Sequence, residues 1–189
     1  FDKGNINTGV FYRMIQNEIN RSIDIDPLDQ SRLILSYENL DDNNAYGFEF
    51  SGMYRPTKWW SINASFDVYS QTLKGLSGTE RIEVDNTGYT VRMNNSFKPA
   101  KDLSLQVFGF YRSGGSSIQF DYDPFYFVNA GVRYNVMQGN ATISFNVNDI
   151  FNTQKSKVQT TRPYPMEGEF NWESQTWQVG LSYRFGGVN

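Results

Sequence analysis

From Tyr46 to Tyr54 the chain alternates: Tyr46, Phe48, Phe50, Gly52 and Tyr54 on one side, Gly47, Glu49, Ser51 and Met53 on the other. Period two describes an extended strand with a dry face and a mostly wet one. The pattern recurs and predicts eight strands, at about 5–17, 45–55, 59–71, 89–98, 103–113, 125–136, 141–151 and 175–185. No stretch carries a helical period. Residues 31–40, "SRLILSYENL", read as an upward extension of the second strand.

The connections fall into two classes that alternate. Short ones lie at Pro56-Thr57-Lys58, Pro99 to Asp102 and Met137 to Asn140, where Pro and Gly suit tight turns. Long ones cover about 18–44, 72–88, 114–124 and 152–174. In an up-and-down antiparallel sheet this places every short turn at one end and every long loop at the other. That asymmetry predicts an all-β, antiparallel up-and-down transmembrane β-barrel, with short periplasmic turns and long extracellular loops. A water-soluble barrel or sandwich, with the dry face turned inward, lacks such one-sided loops.

The dry faces contain no charge, and aromatics mark their ends. Tyr46 and Tyr54, Tyr89 and Phe97, Tyr126 and Tyr134, and Trp177 and Phe185 are each eight residues apart, and Trp60 and Tyr111 end two further faces. Eight steps of about 3.3 Å, tilted about 40°, rise roughly 20 Å, close to the apolar band between two lipid-interface girdles. The opposite faces are polar, as a water-filled or plugged lumen requires. Arg13, Arg55, Arg92, Lys98, Arg112, Arg133 and Arg184 point inward against Glu49 and Asp67. This set reads as an internal network of paired charges, with an anion-attracting lumen as the sharper alternative. Phe108 and Phe110 interrupt the polar face without a reason visible in the sequence.

Composition narrows the chemistry. The 189 residues contain no Cys and no His, which excludes disulfides, thiolate zinc sites and imidazole catalysis. A net charge of -3 gives no general attraction for nucleic acid. The four long loops hold 15 of the 20 acidic residues and seven of the 17 basic ones, so the loop layer is acidic. "DIDPLDQ" clusters Asp24, Asp26 and Asp29, yet lacks the Gly and terminal Glu of a calcium loop and reads as a solvated turn. "RSGGSS" lacks the G-K-[ST] of a phosphate loop. Paired carboxylates such as Asp41-Asp42 have no catalytic partner. The expectation is therefore a protein that is not an enzyme, with no catalytic residue, cofactor or metal ligand.

The last strand, "WQVGLSYRFG", resembles the C-terminal assembly signal of bacterial outer-membrane proteins, with Leu181, Tyr183 and Phe185 at its signal positions. Gly186, Gly187, Val188 and Asn189 follow the Phe, where the family pattern usually ends. "NVNDIFNTQ" at 146–154 resembles the penultimate strand of TonB-dependent receptors, and "YGFEFSGMYRP" at 46–56 their G-x-E strand with its periplasmic Pro turn. "NAGVRYNVMQGNATISFNV" resembles the hairpin before the end. The chain is thus similar to the C-terminal barrel portion of the outer-membrane β-barrel family related to TonB-dependent receptors.

The resemblance implies a larger barrel of about 22 strands around an N-terminal plug. It also implies nutrient uptake across the bacterial outer membrane. Residues 1–189 then form one barrel segment with no plug domain. Its implied partners are outer-membrane lipid and lipopolysaccharide, the rest of the barrel and its plug, the TonB system and the barrel assembly machinery. The runner-up is a complete eight-stranded small barrel with a structural or adhesive role, in which the first and last strands must pair.

Overall fold

The computed structural model describes residues 2–39, 43–77, 80–160 and 164–185. Among the described residues fourteen strands follow one another. They are β1 (Gly4–Ile15), β2 (Ile19–Asp26), β3 (Asp29–Asn39), β4 (Asn43–Thr57), β5 (Trp60–Ser77), β6 (Glu80–Ala100) and β7 (Leu103–Arg112). The short β8 (Gly115–Ser116) and β9 (Asp121–Tyr122) come next. The chain then runs through β10 (Phe125–Val136), β11 (Ala141–Asn148), β12 (Lys155–Thr160), β13 (Met166–Asn171) and β14 (Thr176–Tyr183). Among the described residues no helix is long and apolar enough to cross a membrane.

Eight strands form the main sheet, in the order β1-β4-β5-β6-β7-β10-β11-β14, each antiparallel to its neighbours. These are the eight expected strands, joined up and down as predicted. The sheet is open: among the described residues β1 pairs only with β4, and β14 only with β11.

The register carries the stagger of a barrel wall. One cross-strand row runs Tyr54, Ile62, Asn95, Val107, Ala130, Val147, Trp177. Tyr54 lies three residues above the Thr57 end of β4, whereas Trp177 lies six above the Tyr183 end of β14. Such a drift is what tilted strands of a barrel require.

The long connections differ from the expected plain loops. Residues 31–39 do not extend the second strand, and Leu40 lies outside the described residues. Ser31–Asn39 belong to β3, which pairs with β2 as a separate hairpin. The 152–174 segment contains the β12–β13 hairpin, and β9 and β8 join β12 in a small sheet. Residues 72–77 and 80–88 directly continue β5 and β6, paired up to Ser77 and Glu80. β6 has 21 residues, twice the 9–11 or so that cross a bilayer.

Along that continuation the two faces exchange character. Up to Val68 and Tyr89 the outward face is apolar and the inward face polar. Beyond them the outward face carries Ser70, Thr72 and Lys74 opposite Thr87, Asp85 and Glu83, joined by Thr72 Oγ1 donating to Asp85 at 2.7 Å and by a Lys74–Glu83 ion pair at 3.4 Å. The inward face turns to Leu73 and Ile82, which are buried with Ile118 and packed against Val84. The physical reason is the change of surroundings. Lipid solvates apolar side chains on the outside of the wall, whereas water above the bilayer drives them inside. The reversal falls between the Val68/Tyr89 and Ser70/Thr87 rungs, where the apolar outer band of the wall ends.

At the opposite end the turns are tight. Two-residue connections follow Thr57 and Ala100, and the register shift beside each accommodates Pro56 and Pro99, which have no N–H to donate. Met137 and Gln138 both take positive φ, 54° and 58°, in the third turn.

Candidate functional site

The expected lipid face is continuous. The outer ends of its strands bring Phe66, Tyr89, Tyr111 and Tyr126 into one row, with successive ring centroids 6.3, 5.5 and 6.3 Å apart. At the turn end Trp60 stacks on Phe97 at 5.8 Å, and Trp59 joins both. Asn95, an amide on this face, accepts a hydrogen bond from the Trp60 indole N–H at 3.1 Å, which satisfies a polar group that lipid cannot. Trp177 packs on Phe145, and Tyr183 meets Phe185 edge-on at 4.6 Å. Tyr46, Tyr54 and Tyr134 lie on the same face, exposed. Gly186 to Asn189 lie outside the described residues.

The opposite face carries the inward charges. Arg92 donates to Asp67 at 2.8 Å. Glu49 is the cross-strand neighbour of Asp67 and lies beside Gly9. Arg133 sits between Ser104 and Ser144, Arg55 near Lys98 at the turn end, and Arg184 beyond β14. The charges are thus spread along the wall, and among those inward charges the Asp67–Arg92 pair alone is closed within the described residues.

Phe108 and Phe110 acquire a reason. β7 and β10 bring them against Phe125 and Phe127, with Phe110–Phe127 centroids 5.3 Å apart and Phe108–Phe127 6.0 Å. The Arg92 guanidinium lies 5.5 Å from the Phe110 ring centre and Arg112 5.6 Å from that of Phe125. Cations over ring faces are attracted by the ring quadrupole, so this patch joins aromatic area to positive charge. Phe125 and Phe127 alternate with Tyr126 and Val128, which carry the dry face of this strand, so only the pairing with β7 shows their contact with Phe108 and Phe110.

A second structure stands where "NDIFN" leaves β11. Asp149 is fully buried, with φ of 45°. Its carboxylate accepts hydrogen bonds from the backbone N–H groups of Thr153 and Gln154, both at 2.9 Å, and from Ser174 Oγ at 2.6 Å. Its own N–H donates to Asn129 Oδ1 at 2.8 Å. Burial pushes the Asp149 carboxyl up, but the donors from Ser174, Gln154 and Thr153 together outweigh it and hold it below the usual aspartate range. The turn therefore locks the start of the last loop to β10.

Above the polar face lies a cavity of about 490 Å³. Arg13 of β1, Arg21 of β2, Asn43 of β4, Leu73 of β5, Ile118 and Phe170 of β13 line it from six different segments. Gln119, nearly buried, ties the walls: its amide accepts from the Ile23 N–H at 2.8 Å and donates to the Ile23 carbonyl at 3.0 Å. The side chain thereby imitates a strand rung and fixes the β2–β3 hairpin over the barrel wall.

The clustered aspartates of the β2–β3 turn do local work. Asp26 accepts from the Leu28 N–H, Asp29 from the N–H and Oγ of Ser31, and Asp24 from Ser22 Oγ. Among the described residues no group of three His, Cys, Asp or Glu could hold a metal ion.

No curated protein and no solved structure matches the chain. A family model does, over residues 1–183: the outer membrane protein beta-barrel family. That match covers every strand of the main sheet, agrees with its all-β antiparallel build, and carries a location with it. The chain belongs to the outer membrane protein beta-barrel family and resides in the bacterial outer membrane.

Proposed function

We propose that the chain is the C-terminal part of the barrel of a TonB-dependent receptor-like protein that takes up a nutrient across the outer membrane. The observation that carries this reading is the open, staggered sheet. Val10 of β1 is 85% exposed and Leu181 of β14 77%, and neither strand pairs with a second neighbouring strand among the described residues. A bare strand edge in hydrocarbon leaves each unpaired group several kcal/mol out of balance. Further strands of a larger barrel remove both edges, and the polar face then lines a lumen in which a plug fits. No catalytic step or cofactor enters this reading.

The chain has no Cys, so Val10→Cys with Leu181→Cys reports closure cleanly. In the intact gene product in cells no disulfide forms between these positions, because other strands separate them. A cross-link would mean a complete eight-stranded barrel and sink the proposal, since bridging needs Cα atoms within about 7 Å. Nutrient uptake is expected to vanish in a strain lacking TonB; uptake that persists unchanged refutes energised transport.

The assembly machinery is the second partner proposed. Phe185 lies at the end of β14, 87% exposed. Phe185→Ala is expected to lower the amount of barrel in the outer membrane several-fold more than Phe97→Ala, which removes a girdle ring from an inner strand. Equal yields leave Phe185 as an anchor alone.

A further inference from the structure

The turn end of the wall is basic where the loop layer is acidic. Its segments 2–3, 55–58, 98–102 and 184 hold Lys3, Arg55, Lys58, Lys98, Lys101 and Arg184 against Asp2 and Asp102. Four of these cations, Lys3, Arg55, Lys58 and Lys98, line one cavity of about 640 Å³. All four are exposed, and none is ion-paired among the described residues. Like charges gathered on one rim repel, and an anion set among them removes that repulsion.

The backbone fixes their places. The Arg55 N–H donates to the Lys3 carbonyl at 2.7 Å, so the two are cross-strand neighbours where β1 meets β4. The Lys98 N–H donates to the Trp59 carbonyl at 2.7 Å, which sets Lys98 beside Trp59 where β5 meets β6. Lys58 stands in the two-residue turn that joins β4 to β5. Strands β4, β5 and β6 are each paired on both sides, so Arg55, Lys58 and Lys98 keep these places whatever adjoins the open edges of the sheet.

The cavity also straddles the rim between lumen and lipid. Ser61 and Ser96 of the inward face line it, and so does Trp60 of the outward face. Trp59 lines it as well, with its ring 6.3 Å from those of both Trp60 and Phe97. Cations and aromatic girdle therefore share one level, and such girdles lie at the headgroups of a bilayer. Long Lys and Arg side chains reach that layer while their stems stay on the wall. Short turns face the periplasm in outer-membrane barrels, so the leaflet concerned is the periplasmic one.

We infer that this rim cavity binds the headgroup of an anionic phospholipid of the periplasmic leaflet. The phosphodiester sits among Arg55, Lys58 and Lys98, and the acyl chains run up the lipid face past Trp60. A zwitterionic headgroup brings its own ammonium and leaves the excess positive charge unanswered. A free phosphate makes no use of the girdle beside the cations. The inference goes beyond the uptake reading and does not depend on it.

The test uses the intact gene product, extracted from the outer membrane in mild detergent, so the barrel is whole whatever its strand number. Native mass spectrometry reads the retention of added dioleoyl-phosphatidylglycerol against dioleoyl-phosphatidylcholine. The anionic lipid is expected to be retained about tenfold better, since each basic residue near a headgroup favours it several-fold. Arg55→Gln combined with Lys58→Gln and Lys98→Gln is expected to bring the two lipids within about twofold of each other. Lys74→Gln combined with Lys155→Gln and Lys157→Gln removes the same charge from the loop end and is expected to keep the preference. Heat-modifiable migration in gels verifies that both triple variants are folded. On the unaltered protein, raising ammonium acetate from about 0.05 to 0.5 M is expected to shrink the preference several-fold by screening. Equal retention of the two lipids by the unaltered protein overturns the proposal and leaves the rim to an acidic protein segment. A preference that survives the rim substitutions, or that salt does not change, overturns it as well. So does displacement of the lipid by an equimolar amount of glycerol 1-phosphate, which marks a free-anion site.

Discussion

The membrane part of the wall and the layer above it are made from the same strands but obey opposite rules. Below the Val68/Tyr89 rung, apolar side chains face out and polar ones in. Above it, Lys74, Glu83 and Asp85 face out while Leu73 and Ile82 are buried. Below, the outward side chains owe their environment to lipid, and cohesion comes from the backbone ladder. Above, cohesion comes from a small protein core plus polar ties such as Gln119 to Ile23 and Ser174 to Asp149. Strand alternation alone therefore does not state which face is inside; the solvent on each side does.

Charge on the outer face separates the regions most strongly. Ala130→Arg, in the middle of the lipid face between Val107 and Val147, is expected to cost about 2–4 kcal/mol when folding is measured by urea titration in liposomes. Thr72→Arg, outward but above the boundary, should change stability by less than about 0.5 kcal/mol in the same titration. Equal costs would place the boundary elsewhere. The inner face gives the converse result. Leu73→Ala is expected to cost the loop layer about 2–3 kcal/mol by opening its core, read as faster proteolysis of the loops with the membrane part intact.

The Asp149 turn sharpens the comparison with pH. Asp149→Ala leaves two backbone N–H groups and the Ser174 hydroxyl without their acceptor, at about 2 kcal/mol. Because the folded carboxyl titrates below its unfolded value, its stabilisation is fully present above about pH 4 and is lost as pH falls through the lower folded value. Limited proteolysis of the 152–174 segment should accordingly accelerate below about pH 4 in the native protein and show no such step in Asp149→Asn. The smallest effect belongs to the far end. Gln138 holds φ of 58° in the turn after β10. Gln138→Gly is expected to stabilise by about 0.5–1 kcal/mol in the liposome titration, since Gly adopts that region without a Cβ clash.

Much was legible in the chain itself. Period-two alternation, uncharged dry faces with aromatics eight residues apart, and one-sided loop lengths determined the eight main strands and their order. Those features are local, and one strand's faces can be read without knowing its neighbours. Strand length was not legible at 72–88, because the pattern there continues with its polarity reversed, and a reversed pattern reads as the end of a dry face. The clustering of Phe108, Phe110, Phe125 and Phe127 depended on the β7–β10 register, which no single strand contains. Least legible was the cavity. Arg13, Arg21, Asn43 and Ile118 come from distant parts of the chain, and only the folding of the hairpins over the wall sets them around one cavity. A sequence states what each residue prefers; the tertiary structure decides which of those preferences are left unmet, and where.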